Sequence, residues 1–400
     1  MRTVRLLSLA LVGLLPPHSP TAGQELTFGG QLRPRFEYRD PISVSGGAHQ
    51  SWISMRTRGQ LGARLERNVS LFIQFQDVRI WGEETSTQGD YSADNLDLHQ
   101  GYIEVRSDGQ TRLAARAGRQ EVSFGGQRLV GAVNWSQQGR SFDALKLTAE
   151  GSALHLDVLG AVLADEITAT HDTEEYFLAA YGQLLQAGPG TLDFYGLYNR
   201  GPDLANTDQA TVGARWWGTK NSIQFRLEAS YQTGERQSVD VSAFMFGARV
   251  GTALARGKAA VTLWYDYLSG DDDLTDDEIK VFDTLFATNH KFYGLADYFT
   301  NIPLHTAGRG LQDFAVKGSY VAASDVTFQA EVHSFHAAQN AGLSTGHFGE
   351  EIDLTASFDY SPNLALSGGF AYVFAADGWS NIGRLTENAL WSFVMVDASF

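Results

Sequence analysis

The stretch SIQFRLEASY, residues 222–231, alternates between polar and apolar side chains without a break. Every odd-numbered residue from 223 to 231 is apolar, and the even-numbered residues between them are polar. Successive side chains of a strand point to opposite faces, so this pattern predicts a strand with one apolar and one polar face. The stretches WISMRTRGQLGARLE, residues 52–66, and EIDLTASFDY, residues 351–360, repeat the pattern.

Segments of this kind follow one another along the chain, with no helical periodicity between them. We count about 18, each near the roughly 9–11 residues that a tilted membrane-spanning strand needs. They begin near residues 25, 51, 69, 96, 111, 140, 152, 175, 190, 207, 221, 239, 257, 309, 325, 349, 364 and 390. The succession of strands without helices predicts an all-β fold. Because bacterial single-chain barrels have an even number of strands, the count favours a transmembrane antiparallel β-barrel of about 18 strands.

The predicted connections alternate between short and long. The long ones are residues 82–95, 121–139, 163–174, 271–308, 338–348 and 376–389. Outer-membrane barrels have short periplasmic turns and long extracellular loops, which the alternation matches if both termini are periplasmic. The alternative is a soluble β-sandwich or a secreted β-helix. A sandwich also needs an apolar face, so the strand count and the loop lengths are what favour the barrel.

Aromatic residues near the strand ends predict girdles at the two membrane interfaces. They include Tyr38, Trp52, Trp81, Tyr91, Trp216, Trp217, Trp264, Tyr265, Tyr267 and Tyr320. The last strand, LWSFVMVDASF, ends at Phe400. A terminal Phe on an alternating strand resembles the assembly signal of outer-membrane proteins, and it predicts recognition by the barrel-assembly machinery.

The N-terminus predicts export. Arg2 and Arg5 precede an apolar run at residues 6–15, and small residues follow with cleavage after Ala22 or Gly23. This layout is typical of a signal peptide at residues 1–23, with the barrel at residues 24–400 in the outer membrane of a Gram-negative-type cell. The rival reading is a membrane anchor, but the run is shorter than the roughly 20 residues that a spanning helix needs.

Charge and motifs exclude several classes of protein. A net charge of −16 argues against nucleic-acid binding. No nucleophile elbow, zinc-protease motif or phosphate loop is present, so we expect neither an enzyme nor a cofactor or metal site. His333 and His336 are three residues apart on a strand and point to opposite faces. The acidic residues 271–278, DDDLTDDE, predict a solvated outer loop rather than a cation site shared with lipopolysaccharide.

The polar faces of the predicted strands carry many cations. These are Arg56, Arg58, Arg64, Arg116, Lys146, Arg215, Arg226, Arg249 and Lys317. A lumen ringed by such side chains selects for anions. The alternative is that acids on the same faces pair with these cations and only brace the barrel. Those acids are Glu66, Glu104, Glu228, Asp266, Glu331 and Asp353.

Residues 118–147 carry a family resemblance. The stretch contains GRQE at 118–121, GQRL at 126–129, NW at 134–135 and RSFD at 140–143. It resembles the signature region of the alginate-export outer-membrane porin family. FDTLFATNHKFYGLADYF, residues 282–299, is similar to the long outer loop of that family, and the N-terminal GGQLRPRFEYR also fits.

The resemblance implies a monomeric 18-stranded barrel with an Arg-lined pore, which in characterised alginate exporters passes a uronate polymer outward. Carried over by motif, the pore-lining cations are Arg119, Arg128 and Arg140. Gln127, Asn134 and Trp135 are expected to fold the loop inward or to meet sugar.

The predicted function is an outer-membrane channel that passes anionic sugars or an anionic, alginate-like exopolysaccharide by diffusion. The alternative is a general diffusion porin for small solutes whose lumenal charges are structural. Outer-membrane lipid and lipopolysaccharide are the expected surroundings in both cases.

Overall fold

The computed structural model describes residues 25–41, 47–65, 68–83, 96–109, 111–167, 172–201 and 207–400. The predicted signal peptide at residues 1–23 lies outside these ranges and stays a prediction. Each strand of the barrel pairs with its neighbour in sequence, and β1 pairs with β19. The structure is therefore a closed barrel of 18 antiparallel strands, which confirms the predicted fold class.

The strands of the described residues run in chain order around the barrel, apart from the short β14. They are β1 (Glu25–Asp40), β2 (Gln50–Arg64), β3 (Val69–Ile80), β4 (Leu96–Arg106), β5 (Arg112–Gln120), β6 (Phe142–Glu150), β7 (Leu154–Ile167), β8 (Asp172–Ala187), β9 (Gly190–Gly201), β10 (Thr207–Lys220), β11 (Ile223–Arg236), β12 (Val239–Leu254), β13 (Ala259–Leu268), β14 (Glu278–Ile279), β15 (Leu311–Ala323), β16 (Val326–His336), β17 (His347–Ser361), β18 (Leu364–Ala375) and β19 (Ala389–Ser399). β14 pairs in parallel with β12, outside the barrel ladder.

The two faces of the strands show the inverted polarity of a membrane barrel. On β11 the apolar Ile223, Leu227 and Tyr231 are 42–45% exposed, whereas Glu228 and Ser230 are only 5% and 6% exposed. A soluble sandwich would bury the apolar face instead. The apolar faces therefore form the outer surface of the barrel, and the polar faces line its interior.

The predicted strand starts lie within three residues of the observed ones throughout. The predicted long loop at residues 163–174 is wrong, because β7 extends to Ile167 and β8 begins at Asp172. What remains of that connection, residues 168–171, lies outside the described part. Gln237 and Ser238 make a tight two-residue turn, with φ of 55° and 62°, as the right-handed twist of a hairpin requires.

At least two predicted interfacial aromatics lie inside the barrel. Trp217 shares the face of Arg215, and its indole nitrogen donates to the buried Asp193 at 3.2 Å. The Trp264 ring lies 3.3 Å from the guanidinium carbon of Arg249 and 4.1 Å from the Lys317 ammonium. Trp264 alternates with outward-facing Leu263, so it shares the inner face, and the assignment to an interfacial girdle is wrong for it and for Trp217. Tyr91, another member of the predicted girdle, lies outside the described residues.

The C-terminus closes the ring. The amide of Phe400 donates to the Gly30 carbonyl at 3.1 Å, and the Gly30 amide donates to the Phe400 carbonyl at 3.2 Å. The Phe400 side chain is 83% exposed. Backbone bonds thus extend the β1–β19 pairing by one residue, and the mostly exposed phenyl side chain of Phe400 lies over Gly30.

Two long connections turn into the barrel and pack there. We call residues 121–141 the first infolded loop and residues 269–310 the second infolded loop. The second contains a 3-10 turn (Asn289–Lys291) and a short helix, α1 (Ile302–His305). A further helix, α2 (Asp377–Asn381), brings Trp379 against Phe299 of the second loop at 4.9 Å between ring centroids. Among the described residues, no helix is long and apolar enough to cross a bilayer.

Candidate functional site: the lumen between the wall and the infolded loops

Near the end of β5, just before the first infolded loop, Gly118 has a backbone conformation that other residues rarely adopt. Gly118 has φ of 126°, and a Cβ there would lie 2.2 Å from the Gly101 carbonyl oxygen. The buried Gln120 side chain donates to the carbonyls of Gly118 and Ala144 at 3.1 and 3.0 Å. These bonds satisfy backbone groups where the chain leaves the ladder, which is the role that polar residues need to fill at such a point.

The two infolded loops are joined to each other. The Gly131 amide donates to the Phe286 carbonyl at 2.9 Å, and the Phe286 amide donates to the Leu129 carbonyl at 2.9 Å. The Gln127 carbonyl accepts from the Thr288 amide at 3.0 Å, and its side-chain oxygen accepts from the Thr288 hydroxyl at 3.0 Å. Gln127 therefore fastens one loop to the other rather than projecting into open lumen.

Arg128 of the first infolded loop is buried against the barrel wall and does not line a passage. Its side chain is 2% exposed, and it lies 2.9 Å from Asp266 and 3.4 Å from Glu228. Nη1 also donates to the Tyr293 hydroxyl at 2.8 Å. The motif-based prediction that Arg128 faces solute is wrong, because this guanidinium is used up in fixing both loops to β11 and β13.

Arg119 lies on the outer face of the barrel. It shares the face of β5 that carries Leu113, which is 52% exposed. Its guanidinium donates to both Asp143 oxygens at 2.9 Å and lies 3.7 Å from Asp97. The prediction that Arg119 lines the pore is therefore wrong. It forms an ion pair on the outside, at the end of β5 that leads into the first infolded loop.

Arg140 joins backbone carbonyls of the two loops. Nη1 donates to the Phe286 carbonyl and, at 3.4 Å, to the carbonyls of Gly131 and Ala287. Burial lowers the pKa of Arg140 below its ordinary value. Among the described residues, Arg140 has no carboxylate partner. Its hydrogen bonds to carbonyl oxygens hold its side chain against the two loops.

Arginines of β1 and β2 hold the middle of the first infolded loop. Arg33 donates to the Asn134 carbonyl at 2.8 Å, and Arg35 donates to the Trp135 carbonyl at 2.7 Å. Arg56 donates to the carbonyls of Asn134 and Ser136 at 3.4 and 3.3 Å. Arg33 and Arg35 were not predicted, although they alternate with outward-facing residues in GGQLRPRFEYR and the period-two pattern could have found them.

Arg58 and Asn134 meet at one acid of the loop. Arg58 lies 3.4 Å from Glu121 and contacts His99 Nε2 at 2.8 Å, while the Asn134 amide donates to Glu121 at 3.1 Å. His99 in turn contacts Glu121 at 2.8 Å. Arg58 is therefore on the inner face as predicted, and it is paired.

Trp135 is partly buried and packs against two neighbours. Its ring stacks on His290 with centroids 4.4 Å apart, and the Arg35 guanidinium carbon lies 4.3 Å from the same centroid. Trp135 thus packs the loop against the wall and the second infolded loop, and it also lines a cavity of about 310 Å³.

Most of the other predicted lumenal cations have a carboxylate partner. The pairs are Arg64–Glu25, Arg116–Glu104, Lys146–Asp157, Arg215–Asp193 and Lys317–Glu331. The Arg64 pair is exposed, at the end of the wall where β2 turns into β3. These pairs match the bracing that charge ladders provide on neighbouring strands.

A cationic cluster remains between β10–β12 and the loops. Arg226 Nη1 is buried without a hydrogen-bond partner, and so are Nε and Nη2 of Arg249. A Cβ at Gly126 would lie 2.9 Å from Arg226 Nη1 and 3.0 Å from Arg215 Nη1, so both guanidiniums flank this point of the first loop. Lys291 of the second loop reaches the Gly126 carbonyl at 3.4 Å. Burial, followed by the charges of the three arginines, lowers the pKa of Lys291.

Comparison with known proteins supplies the family. The family model for alginate export matches residues 24–392. The chain belongs to the alginate export family. No curated protein matches this member of the family in sequence.

Solved structures share the fold of this alginate export family member. OpdO of Pseudomonas aeruginosa is 15% identical, with a TM-score of 0.64 over 94% of this chain and 97% of that one. The outer membrane protein OprD of Pseudomonas aeruginosa is 14% identical, with a TM-score of 0.63 over 94% of each chain. OccAB4 of Acinetobacter baumannii is 9% identical, with a TM-score of 0.65 over 96% of this chain and 100% of that one. Family and fold together support an outer-membrane channel.

The acidic stretch of this alginate export family member, residues 271–278, carries six carboxylates and is partly compensated by Lys280. The Lys280 ammonium lies 2.6 Å from Asp272 and 3.1 Å from Asp276. Asp273 accepts from the Thr275 amide and hydroxyl at 3.1 and 2.6 Å. The stretch is thus a hydrogen-bonded surface turn, in line with the prediction of a solvated loop.

Proposed function

We propose that this chain is an outer-membrane channel that passes anionic sugars or an anionic, alginate-like polysaccharide by diffusion, without covalent chemistry. The residues to which we assign the selectivity are Arg226, Arg249 and Lys291. We keep the predicted export by residues 1–23, a monomeric state, contact with lipopolysaccharide and recognition of Phe400 by the assembly machinery as parts of this proposal.

The observation that carries the proposal is an excess of positive charge at the cationic cluster. Among the described residues, the carboxylates that contact the cluster and its neighbour Arg128 are Asp193, Glu228 and Asp266. Five cations thus share three carboxylates. Two units of positive charge remain to attract an anion into this part of the lumen.

The chemistry of the cluster suits a carboxylated solute. An unpaired guanidinium offers a planar pair of donors that fits a carboxylate in two-pronged fashion. One donor of Arg226 and two of Arg249 lack a partner, but all three atoms are buried, so in this structure they act on a solute through their charge rather than by direct contact. A ring of Arg and Lys at a constriction favours anion passage, and weak contacts at several sites let the solute leave again.

Current-block recording tests the solute class. An oligomer of uronic acid added to a single channel in a planar bilayer should interrupt the current more often, and for longer, than a neutral oligosaccharide of equal length. Arg226→Gln should shorten these interruptions by severalfold. Arg119→Gln is the matched control, because it removes a guanidinium from the outer face and should leave them unchanged.

The alternative, a general diffusion porin, is favoured by the five cation–carboxylate pairs that brace the wall. Liposome swelling separates the two functions. Equal swelling rates for glucose and glucuronate, unaffected by Arg226→Gln, would establish the general porin and reject the anionic-solute channel.

A further inference from the structure

On the wall opposite Trp135, several carboxylates lie close to one histidine. Glu331 and His333 are two residues apart on β16, so both face the lumen. Asp353 of β17 is paired directly opposite Glu331 in the strand register. One ligand atom from each of these three side chains lies within 4.8 Å of the other two.

His333 is held in a defined orientation. Its Nδ1 lies 3.0 Å from both carboxylate oxygens of Asp313, and both residues are fully buried. Nδ1 must therefore be the donor, because a carboxylate only accepts. In a neutral imidazole the lone pair is then on Nε2, and Nε2 points at Glu331 Oε2 from 3.3 Å. Two acceptors facing each other need a positive species between them.

The surroundings are short of positive charge. Asp353 is 1% exposed and Glu351 is fully buried, and one oxygen of each has no hydrogen-bond partner. Like charges opposite each other on paired strands destabilise a sheet, and buried charges cost free energy unless they are compensated. Among the described residues, the ammonium that contacts these acids is that of Lys317, and it pairs with Glu331.

We propose that Glu331, His333 and Asp353 bind a divalent first-row transition metal of the zinc class. One imidazole with two carboxylates suits such an ion, whereas calcium and magnesium prefer oxygen ligands only. Two ligands about 2.1 Å from a tetrahedral metal lie about 3.4 Å apart, close to the 3.3 Å between His333 and Glu331. Asp313 orients the histidine, which is the usual arrangement of a metal-bound imidazole.

The site has an open side. Glu331 and Asp353 also line a cavity of about 310 Å³, together with Trp135 and His290. Three protein ligands with a fourth position open to a cavity match the pattern of a metal that can exchange its outer ligand. The site also lies under the second infolded loop, whose Leu295 and Ala296 amides donate to Asp353 and Glu351 at 3.2 and 2.8 Å. The bound ion would hold this wall and that loop together.

Calorimetric titration of the full-length barrel in detergent, first stripped with chelator, uses Zn²⁺ alone as the probe. One ion should bind per barrel. His333→Gln and Asp353→Asn should each weaken binding by more than about 100-fold, and Asp313→Asn by about 10–100-fold. His155→Gln is the matched control, since His155 also contacts a carboxylate, Asp157 at 3.0 Å, and it should change nothing.

A second measurement protects the test against misfolding of a variant. Co²⁺ bound to the wild-type barrel should give the visible absorption of a four-coordinate site, and Zn²⁺ should abolish that absorption. Absence of Zn²⁺ binding in the wild type would overturn the proposal and leave His333 as an imidazolium between Asp313 and Glu331. Loss of binding in His336→Gln but not in His333→Gln would overturn it equally, because it would move the ion to the His336–His347 stack, whose rings lie 4.7 Å apart.

Discussion

Replacing Arg128 by Met tests whether the infolded loops are fixed by one buried guanidinium. The substitution keeps the volume roughly constant but leaves Asp266, fully buried, and Glu228, 5% exposed, without their partner. Breaking a buried ion pair from one side costs about 3–5 kcal/mol. The same substitution at Arg119 breaks a pair whose side chains are 38% and 55% exposed, which is worth only about 0.2–1 kcal/mol.

Hydrogen exchange of the loop amides measures this difference. The amides of Gly131, Phe286 and Thr288 bond from one loop to the other, so they exchange when the loops open. In Arg128→Met their exchange should accelerate by more than about 100-fold, since about 1.4 kcal/mol corresponds to a factor of ten. Arg119→Met should stay within about fivefold of wild type. Equal acceleration in both variants would refute the assignment of Arg128 as the anchor, and adding Asp266→Asn to Arg128→Met should restore part of the protection.

Two further predictions concern the backbone and the pH response. Gly118→Ala should lower the free energy of unfolding by more than about 1 kcal/mol, because its φ is positive and its Cβ would overlap the Gly101 carbonyl. Gly196→Ala, where a Cβ meets nothing within 4 Å, should not do so in the same denaturant titration. Burial, with the nearby Arg384 charge, lowers the pKa of His305 from 6.5 to about 4. Only the unfolded chain is then protonated between these values, so stability should fall as the pH drops from 6.5 towards 4, and His305→Gln should flatten that decline.

The period-two alternation of polar and apolar residues was enough to predict which face of the barrel most strand residues occupy. It placed Arg56, Arg58 and Arg116 on the inner face, where the structure has them. Applied to RLAARAGRQ it also puts Arg119 on the face of Leu113, which is outside. The family motif and the alternation disagree at Arg119, and the structure agrees with the alternation.

The loops could not be predicted in the same way. Arg128 finds Asp266, which is 138 residues away in sequence, only because two infolded loops join and then dock on the wall. No local periodicity encodes such a contact. Lys291 was also missed as a site residue, although it stands in the HKFYG element that resembles the family. Its place beside Arg226 depends on the same docking.

The reversal potential of the wild-type channel in a planar bilayer under a KCl gradient tests the central claim most directly. The cationic cluster and Arg128 together have five cations for three carboxylates. Because this excess favours anions, we expect the reversal potential to have the sign that indicates preference for chloride. The double variant Arg226→Gln/Lys291→Gln should bring that potential close to zero, while Arg119→Gln should leave it unchanged. A wild-type potential of the opposite sign, showing potassium preference, would contradict the account.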